Sequence, residues 1–311
     1  MTDEATAKAR SLLGSLPPFS GKDPQQLSLE RLGGLTNLVY KVSGEGGNWC
    51  LRIPGQGTEE YIDRKVEAKA AAATSKAGVS PTLIYSDPDS GVMVSAFLEG
   101  ARTMTPAGFA DVPGAPARAG EVFRRLHQCG AVFDFRFELF EMIDDYLKLL
   151  SGKTVELPAG YHDVLEQAED VRAALKARPL PLAPCHCDPL CENFLDLDGR
   201  MWLVDWEYSG MNDPLWDLGD LSVEGSFNHQ QEEEMIQAYF GRDPTPAERG
   251  RIVIYKAMCD LLWTLWGLIQ LANNNPADDF RAYANGRFER CKLLMSDDMF
   301  KRHLEAVEQG G

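Results

Sequence analysis

The spacing of apolar and polar positions changes character along the chain. Between residues 27 and 97 it reads as strands. Leu27–Arg31 and Leu38–Val42 are short runs on either side of Gly33-Gly34-Leu35-Thr36-Asn37. On a third strand, Trp49–Ile53, Trp49, Leu51 and Ile53 face one way and Cys50 and Arg52 the other. Thr82–Tyr85 and Val92–Phe97 flank the turn-forming run Ser86-Asp87-Pro88-Asp89-Ser90-Gly91. One helix interrupts these strands: Glu59–Ala77 is rich in Ala, Glu and Lys, carries Ile62, Val66 and Ala70 on one stripe, and stops at Gly78. A short helix, Glu4–Leu13, precedes the first strand. After a Pro/Gly/Ala loop over Thr105–Ala115 the period turns helical, over Ala117–His127, Phe135–Ser151, Tyr161–Lys176 and Gln230–Phe240. Thr245-Pro246-Ala247-Glu248 is a capping box with proline at the first helical position, and a long helix follows to about Ala272. Strands first and helices after put the chain in the α+β class.

One stretch breaks the helical half. From Pro184 to Gly210 the pattern is loop, strand, tight turn, strand, with an Asp-Gly turn at Asp198-Gly199. The stretch carries His186, Asp188, Asn193 and Asp205. A hairpin of this size brings Asp205 back beside Asn193 and Asp188. Two oxygen ligands and one further carboxylate then share a small volume. That set suits Mg²⁺ with a phosphate donor, because Mg²⁺ takes few protein oxygens and leaves its other positions to phosphate and water. The plainer reading is a strand hairpin with scattered acids. Zinc is a third reading, from Cys185, His186, Cys187 and Cys191. C-x-C-x-x-x-C is not a paired C-x-x-C pattern, however, and no second cluster lies nearby, so buried reduced thiols account better for these residues.

Composition and charge narrow the function. The 311 residues are 44% hydrophobic and 25% charged, an ordinary globular balance with room for a large core. Formal net charge is −16, which disfavours nucleic acid and anionic membrane as partners and favours a cation. The first ten residues are polar, with no apolar signal region, and no apolar run approaches the length of a membrane span. Seven unpatterned cysteines point to reduced thiols and a cytoplasmic home. Neither internal repeats nor low-complexity tracts are present.

The order H-x-D-x-x-x-x-N over His186, Asp188 and Asn193, followed by Asp205, resembles the catalytic loop and metal-binding Asp of the protein-kinase-like fold. Asp205-Trp206-Glu207-Tyr208 stands where protein kinases have D-F-G. It is similar to the choline/ethanolamine kinase family within the aminoglycoside phosphotransferase-like proteins, its bacterial choline kinase-like members included. The resemblance runs from Gly33 to Phe288. It implies a two-lobed fold, with a small N-terminal antiparallel sheet and helix over residues 1–98 and a larger, mostly helical lobe over 99–311. It implies ATP and Mg²⁺ as cofactors, with Gly33, Gly34, Thr36 and Asn37 as a nucleotide loop. On residues alone, the same glycine pair is also an ordinary hairpin turn. The resemblance further implies Arg52 on the phosphates, Glu67 holding Arg52 (with Glu60 and Asp63 as alternatives), and Asn193 and Asp205 on the metal. Asp188 would accept or orient the hydroxyl proton, His186 would support the loop, and Asp217 would brace it through its backbone. His127 is read as packing or capping.

The acceptor side rests on later residues. Trp263 and Trp266, three apart, share one helical face. Alone, that is a core pattern. In the family, W-x-x-W and a following Tyr, here Tyr283, line the substrate, with a Glu at the position of Glu224. Aromatic faces suit a trimethylammonium group, which donates no hydrogen bond; each ring supplies roughly 0.5–2 kcal/mol. The expected substrate is a small cationic alcohol, choline first and ethanolamine second. Thiamine or an aminoglycoside as acceptor, or a catalytically silent choline-binding protein, are the competing readings. Oligomeric state is left open.

Overall fold

The computed structural model describes residues 2–33, 37–55, 58 and 62–310. The order of elements is α1 (Thr2–Leu13), β1 (Ser28–Gly33), β2 (Leu38–Gly44), β3 (Gly47–Ile53), α2 (Arg64–Lys76), β4 (Leu83–Ser86), β5 (Met93–Ala96) and β6 (Arg102–Thr103). Next come α3 (Pro106–Asp111), α4 (Ala115–His127), α5 (Leu139–Ser151), α6 (Tyr161–Ala177), β7 (Ala183–Cys185), β8 (Phe194–Leu197), β9 (Arg200–Leu203) and β10 (Gly210–Asn212). The chain ends with α7 (Leu215–Glu224), α8 (His229–Phe240), α9 (Pro246–Ala272), α10 (Phe280–Ser296) and α11 (Asp298–Gln309). It divides into two compact units: Met1–Thr103 with Asn193–Ser209, and Met104–Glu192 with Gly210–Gly311.

The first unit is built on an antiparallel five-stranded sheet in the order β1-β2-β3-β5-β4. Tyr40, Val42, Leu51, Ile53 and Val94 are buried in a core that also takes in Leu13 of α1 and Phe19. Each large side chain so buried contributes about 1.5–3 kcal/mol. Arg52 therefore projects from the other face of β3, as the alternation requires. The late hairpin β8–β9 belongs to this unit. Its turn residues Asp198 (φ 51°) and Gly199 (φ 75°) both have positive φ, the requirement of a two-residue type I′ turn. Three hydrogen bonds fasten its end: Leu203 N to Val79 O (3.0 Å), Ser80 Oγ to Leu203 O (2.8 Å), and Trp206 Nε1 to Ser80 Oγ (2.8 Å).

The second unit is mostly helical. Its long helix α9 packs against α5, α7, α10 and α11. Both halves of the capping box expected at Thr245 and Glu248 are formed. Contrary to the expectation that no apolar run nears a membrane span, α9 is one helix, among the described residues, long and apolar enough to cross a bilayer. The relevant window is 89% buried inside the protein, so its apolarity is that of a core helix.

Three expected boundaries are corrected. α2 begins at Arg64 rather than Glu59, because Asp63 is its cap, accepting from Lys65 N (2.9 Å) and Val66 N (3.3 Å). Asp63 is thus engaged with the helix it caps. The expected loop Thr105–Ala115 holds α3: Thr105 Oγ1 accepts from Gly108 N (2.9 Å) and Pro106 supplies the first helical residue. α5 begins at Leu139 rather than Phe135, since Phe137 N bonds Met211 O (3.1 Å) and Met211 N bonds Phe135 O (2.8 Å). Those two bonds hold residues 135–137 extended beside β10.

Candidate active site

In the first unit, Arg52 stands among three carboxylates. Its Nη2 lies 2.8 Å from Glu207 Oε2 and 3.2 Å from Asp205 Oδ1, and its Nη1 pairs with Glu67 Oε1. Arg64, the first residue of α2, shares two of them, with Nη1 2.7 Å from Glu67 Oε2 and 3.3 Å from Glu207 Oε2. Asn37 Nδ2 also donates to Glu207 Oε2 (3.1 Å). The expected Arg52–Glu67 pair is therefore formed, and Glu67 is buried. Glu207 and Arg64 are additions to the expected set. Glu207 carries a signal in its place two residues after Asp205, and Arg64 in standing one helical turn before Glu67. Burial works against the Arg52 charge, but Asp205, Glu67 and Glu207 outweigh it and raise its pKa above the usual value. Gly33 ends β1 at φ 148°, which favours glycine, and Asn37 is buried. Gly34, Thr36 and Glu60 lie outside the described residues.

Asp205 has a left-handed backbone (φ 69°). Val204 N donates to Asn193 O (3.0 Å), so Asn193 and Asp205 sit at the same end of the hairpin. Asp205 Oδ1 is buried and, beside its ion pair with Arg52, accepts no hydrogen bond among the described residues. A carboxylate oxygen in that condition fits a hard cation with a preference for oxygen. Burial raises the Asp205 carboxyl to about 7; Arg52 lowers it, and Glu207 and Glu67 raise it further. The folded chain thus holds this proton more tightly than the unfolded chain. The stability contributed by the group is fully present below 3.8 and is lost as pH rises through about 7. Without divalent metal, the melting temperature of the wild type relative to Asp205→Asn is expected to fall across that window. A difference that stays flat with pH would contradict the assignment.

In the second unit, Asp217 lies in the first turn of α7 and is fully buried. Its Oδ2 accepts from His186 N (2.8 Å), its Oδ1 from Cys187 N (2.8 Å), and Oδ2 also lies 2.9 Å from His127 Nε2. His127 Nδ1 is 2.9 Å from Tyr239 OH and its ring stacks on Phe123, so His127 serves as support. Cys187 holds a left-handed φ of 68°, costly for a residue with a Cβ. Its carbonyl accepts from Trp216 Nε1 (3.1 Å) as well. Asp188, half-buried, follows directly, and its carbonyl accepts from Leu190 N (2.9 Å). His186 is fully buried. Burial, and then the charge of Asp217, push the Cys185 and Cys187 thiols well above their usual range, so they stay protonated.

The residues expected on the acceptor side group in the same unit. Trp266 on α9 meets Tyr283 on α10 edge-on at 5.6 Å, and Phe280 at 5.6 Å. Gly267 permits this approach, since a Cβ there would stand 2.6 Å from the Tyr283 ring. Trp263 is buried one turn earlier. Glu224, the last residue of α7, pairs with Arg287, whose guanidinium carbon lies 4.6 Å from the Tyr283 ring centroid. Burial raises the Tyr283 phenol above its usual range; Arg287 lowers it, and the charges of Glu224 and Asp188 raise it further. Arg287 and its second partner Asp260 are further additions. Isolated in sequence, they give no signal.

Residues 29–252 match the family model described as "Phosphotransferase enzyme family" (APH), and the chain belongs to that family. It is 64% identical to a solved choline/ethanolamine kinase family protein from Mesorhizobium loti, over 98% of this chain and 99% of that one, with a TM-score of 0.90. That likeness puts it in the choline/ethanolamine kinase branch. It is 26% identical to the choline kinase LicA from Streptococcus pneumoniae, over 94% of this chain and 99% of that one, with a TM-score of 0.79. Ethanolamine kinase 1 of Mus musculus is 26% identical over 91% of this chain and 87% of its own length.

Proposed function

We propose that the chain transfers the terminal phosphoryl group of ATP to the hydroxyl of a small cationic alcohol, choline before ethanolamine. The observation that carries this reading is the second unit's grouping of aromatic faces with carboxylates. Trp266 and Tyr283 meet at 5.6 Å, and Glu224 pairs with Arg287, whose guanidinium carbon lies 4.6 Å from the Tyr283 ring centroid. A trimethylammonium group asks for such a setting, because it is held by ring faces and anions rather than by hydrogen bonds. Membership of a phosphotransferase family supplies the reaction, and relatives named as choline and ethanolamine kinases support the acceptor.

Each residue then has one task. Arg52, fixed in its charged form, binds the phosphates, and Glu67 and Glu207 hold its fork in place. Asn193 and Asp205 are the residues that would hold Mg²⁺, which when bound neutralises phosphate charge. Asp188 orients the acceptor hydroxyl and takes its proton. In a loose transition state that proton leaves late, so alignment is most of the work. Asp217 fixes the backbone that aims Asp188. Glu224, Trp266 and Tyr283 receive the ammonium group. Seven free thiols, five of them buried, support a cytoplasmic setting.

The test is a panel of acceptors with ATP and Mg²⁺: choline, ethanolamine, thiamine and an aminoglycoside. Choline is expected to give the highest kcat/KM, and Trp266→Ala to raise its KM by about tenfold. Turnover of thiamine or the aminoglycoside in preference to choline would replace the acceptor. ATP binding without turnover of any of the four would make the chain a silent choline-binding protein.

A further inference from the structure

Arg287 lies one turn after Tyr283 on α10 and is buried. Its guanidinium joins three helices. Nη2 donates to Glu224 Oε1 at the end of α7, Nη1 to Asp260 Oδ1 (3.2 Å) on α9, and the group stands over Tyr283 on its own helix. The two acids do not depend on it equally. Asp260 is also gripped by Arg290, at 2.6 Å on each oxygen. Glu224 has no such second partner, and no hydrogen bond reaches its Oε2 among the described residues. Glu224 also stands at the C-terminal end of α7, where the helix dipole disfavours a carboxylate, with the buried Asp220 one turn before it. Asp220 lies beside Cys259 Sγ (2.9 Å), and burial raises its carboxyl well above the usual range.

We propose that Arg287 is the positioning residue of the acceptor site: it holds the Glu224 carboxylate, with one oxygen bound and the other presented to the substrate cation. This rests on the reading of a small cationic alcohol as acceptor. Charge alone suggests the opposite role, a resident cation that competes with the substrate. Two facts decide against that. Glu224 and Asp260 already match Arg287 and Arg290 charge for charge, so little net repulsion is there to be relieved. And Glu224, with a side chain only 12% exposed and Arg287 as its ion-pair partner, would on losing that partner swing to water, which removes the aimed carboxylate altogether.

The experiment compares Arg287→Met, Glu224→Gln and the double variant in the full chain. The acceptors are choline and its neutral carbon isostere, in which a tert-butyl group replaces trimethylammonium. Arg287→Met is expected to raise the KM for choline by about tenfold or more, and to leave kcat and the KM for ATP within about twofold. The isostere has no charge to offer Glu224, so its KM should move by less than about threefold. Because Arg287 acts through Glu224, the double variant should bind choline no worse than Glu224→Gln alone. A choline KM that is unchanged or lower in Arg287→Met overturns the proposal, as do equal losses for the two acceptors. Should Arg287→Met fail to fold, Arg287→Lys keeps the charge but not the fork. It is then expected to raise the KM for choline and not that of the isostere, and equal effects on both overturn the proposal. A wild type that turns over neither choline nor ethanolamine overturns the acceptor reading itself, a result distinct from choline turnover that ignores Arg287.

Discussion

Replacing Asp217 with alanine is expected to destabilise the protein by about 3–5 kcal/mol and to lower kcat by on the order of 10²-fold or more. The first figure follows from what the carboxylate holds. His186 N, Cys187 N and His127 Nε2 all meet it, at 2.8, 2.8 and 2.9 Å, in a fully buried place. A buried donor left without an acceptor costs about 1–3 kcal/mol, and the alanine variant leaves three such groups facing a fully buried gap. The second figure follows from Cys187. Its left-handed φ of 68° persists only while its neighbours over-determine it, and Asp217 supplies the bond to its N–H. Once released, the backbone relaxes and Asp188, the next residue, loses its aim. Asp217→Asn is expected to fall between alanine and wild type, since the amide oxygen still accepts while its NH₂ faces a donor. Denaturant midpoints at constant slope measure the stability, and steady-state kinetics the rate. A loss under about 1 kcal/mol for the alanine variant would show that the brace is not what holds the loop.

Much of this arrangement is legible in the sequence, for a physical reason. Short-range rules fix short-range features. The Asp198-Gly199 turn, the capping box at Thr245 and the alternation that turns Arg52 away from Leu51 each depend on a few adjacent residues. The failures have the same explanation. Asp63 ends the reach of α2 by a side-chain bond that a run of Ala, Glu and Lys does not reveal, and Phe135–Phe137 is claimed by β10, some 75 residues on. α9 has no unbroken apolar run, so its apolar character emerges only as an average over a long window, and its 89% burial is what the fold adds. At the site, Asp188, Asn193, Asp205 and Asp217 stand out because their order is itself a pattern. Arg64 and Glu207 carry only a local hint, and Asp260 and Arg287 none, because their meaning lies in distant partners, up to 170 residues away for Asn37 and Glu207. Charged networks of this kind are specified by the fold, and no periodicity announces them. The fastening of the late hairpin to Val79 and Ser80, more than 120 residues earlier, is invisible in sequence for the same reason.

Asp188→Asn is expected to behave in the opposite way to Asp217→Ala: a loss in kcat on the order of 10²–10⁴-fold, with stability unchanged to within about 0.5 kcal/mol. Asparagine has the same shape, and the residue is only half-buried, so the fold has little reason to respond. What disappears is the anion that, on the proposed mechanism, aligns the hydroxyl and receives its proton. The KM for ATP should stay near the wild-type value, because Asp188 is assigned to the acceptor. The two variants together separate aim from fold. If Asp217 affects the chemistry only by aiming Asp188, then adding Asp217→Ala to Asp188→Asn should lower kcat by less than about tenfold further, while the whole loss in stability remains. Rate losses that multiply would mean that Asp217 reaches the reaction by a second route, and His127, which it also holds, would be the first residue to substitute. An Asp188→Asn enzyme within about tenfold of wild type on its best acceptor would remove Asp188 from the reaction, and with it the reason for the strained backbone at Cys187.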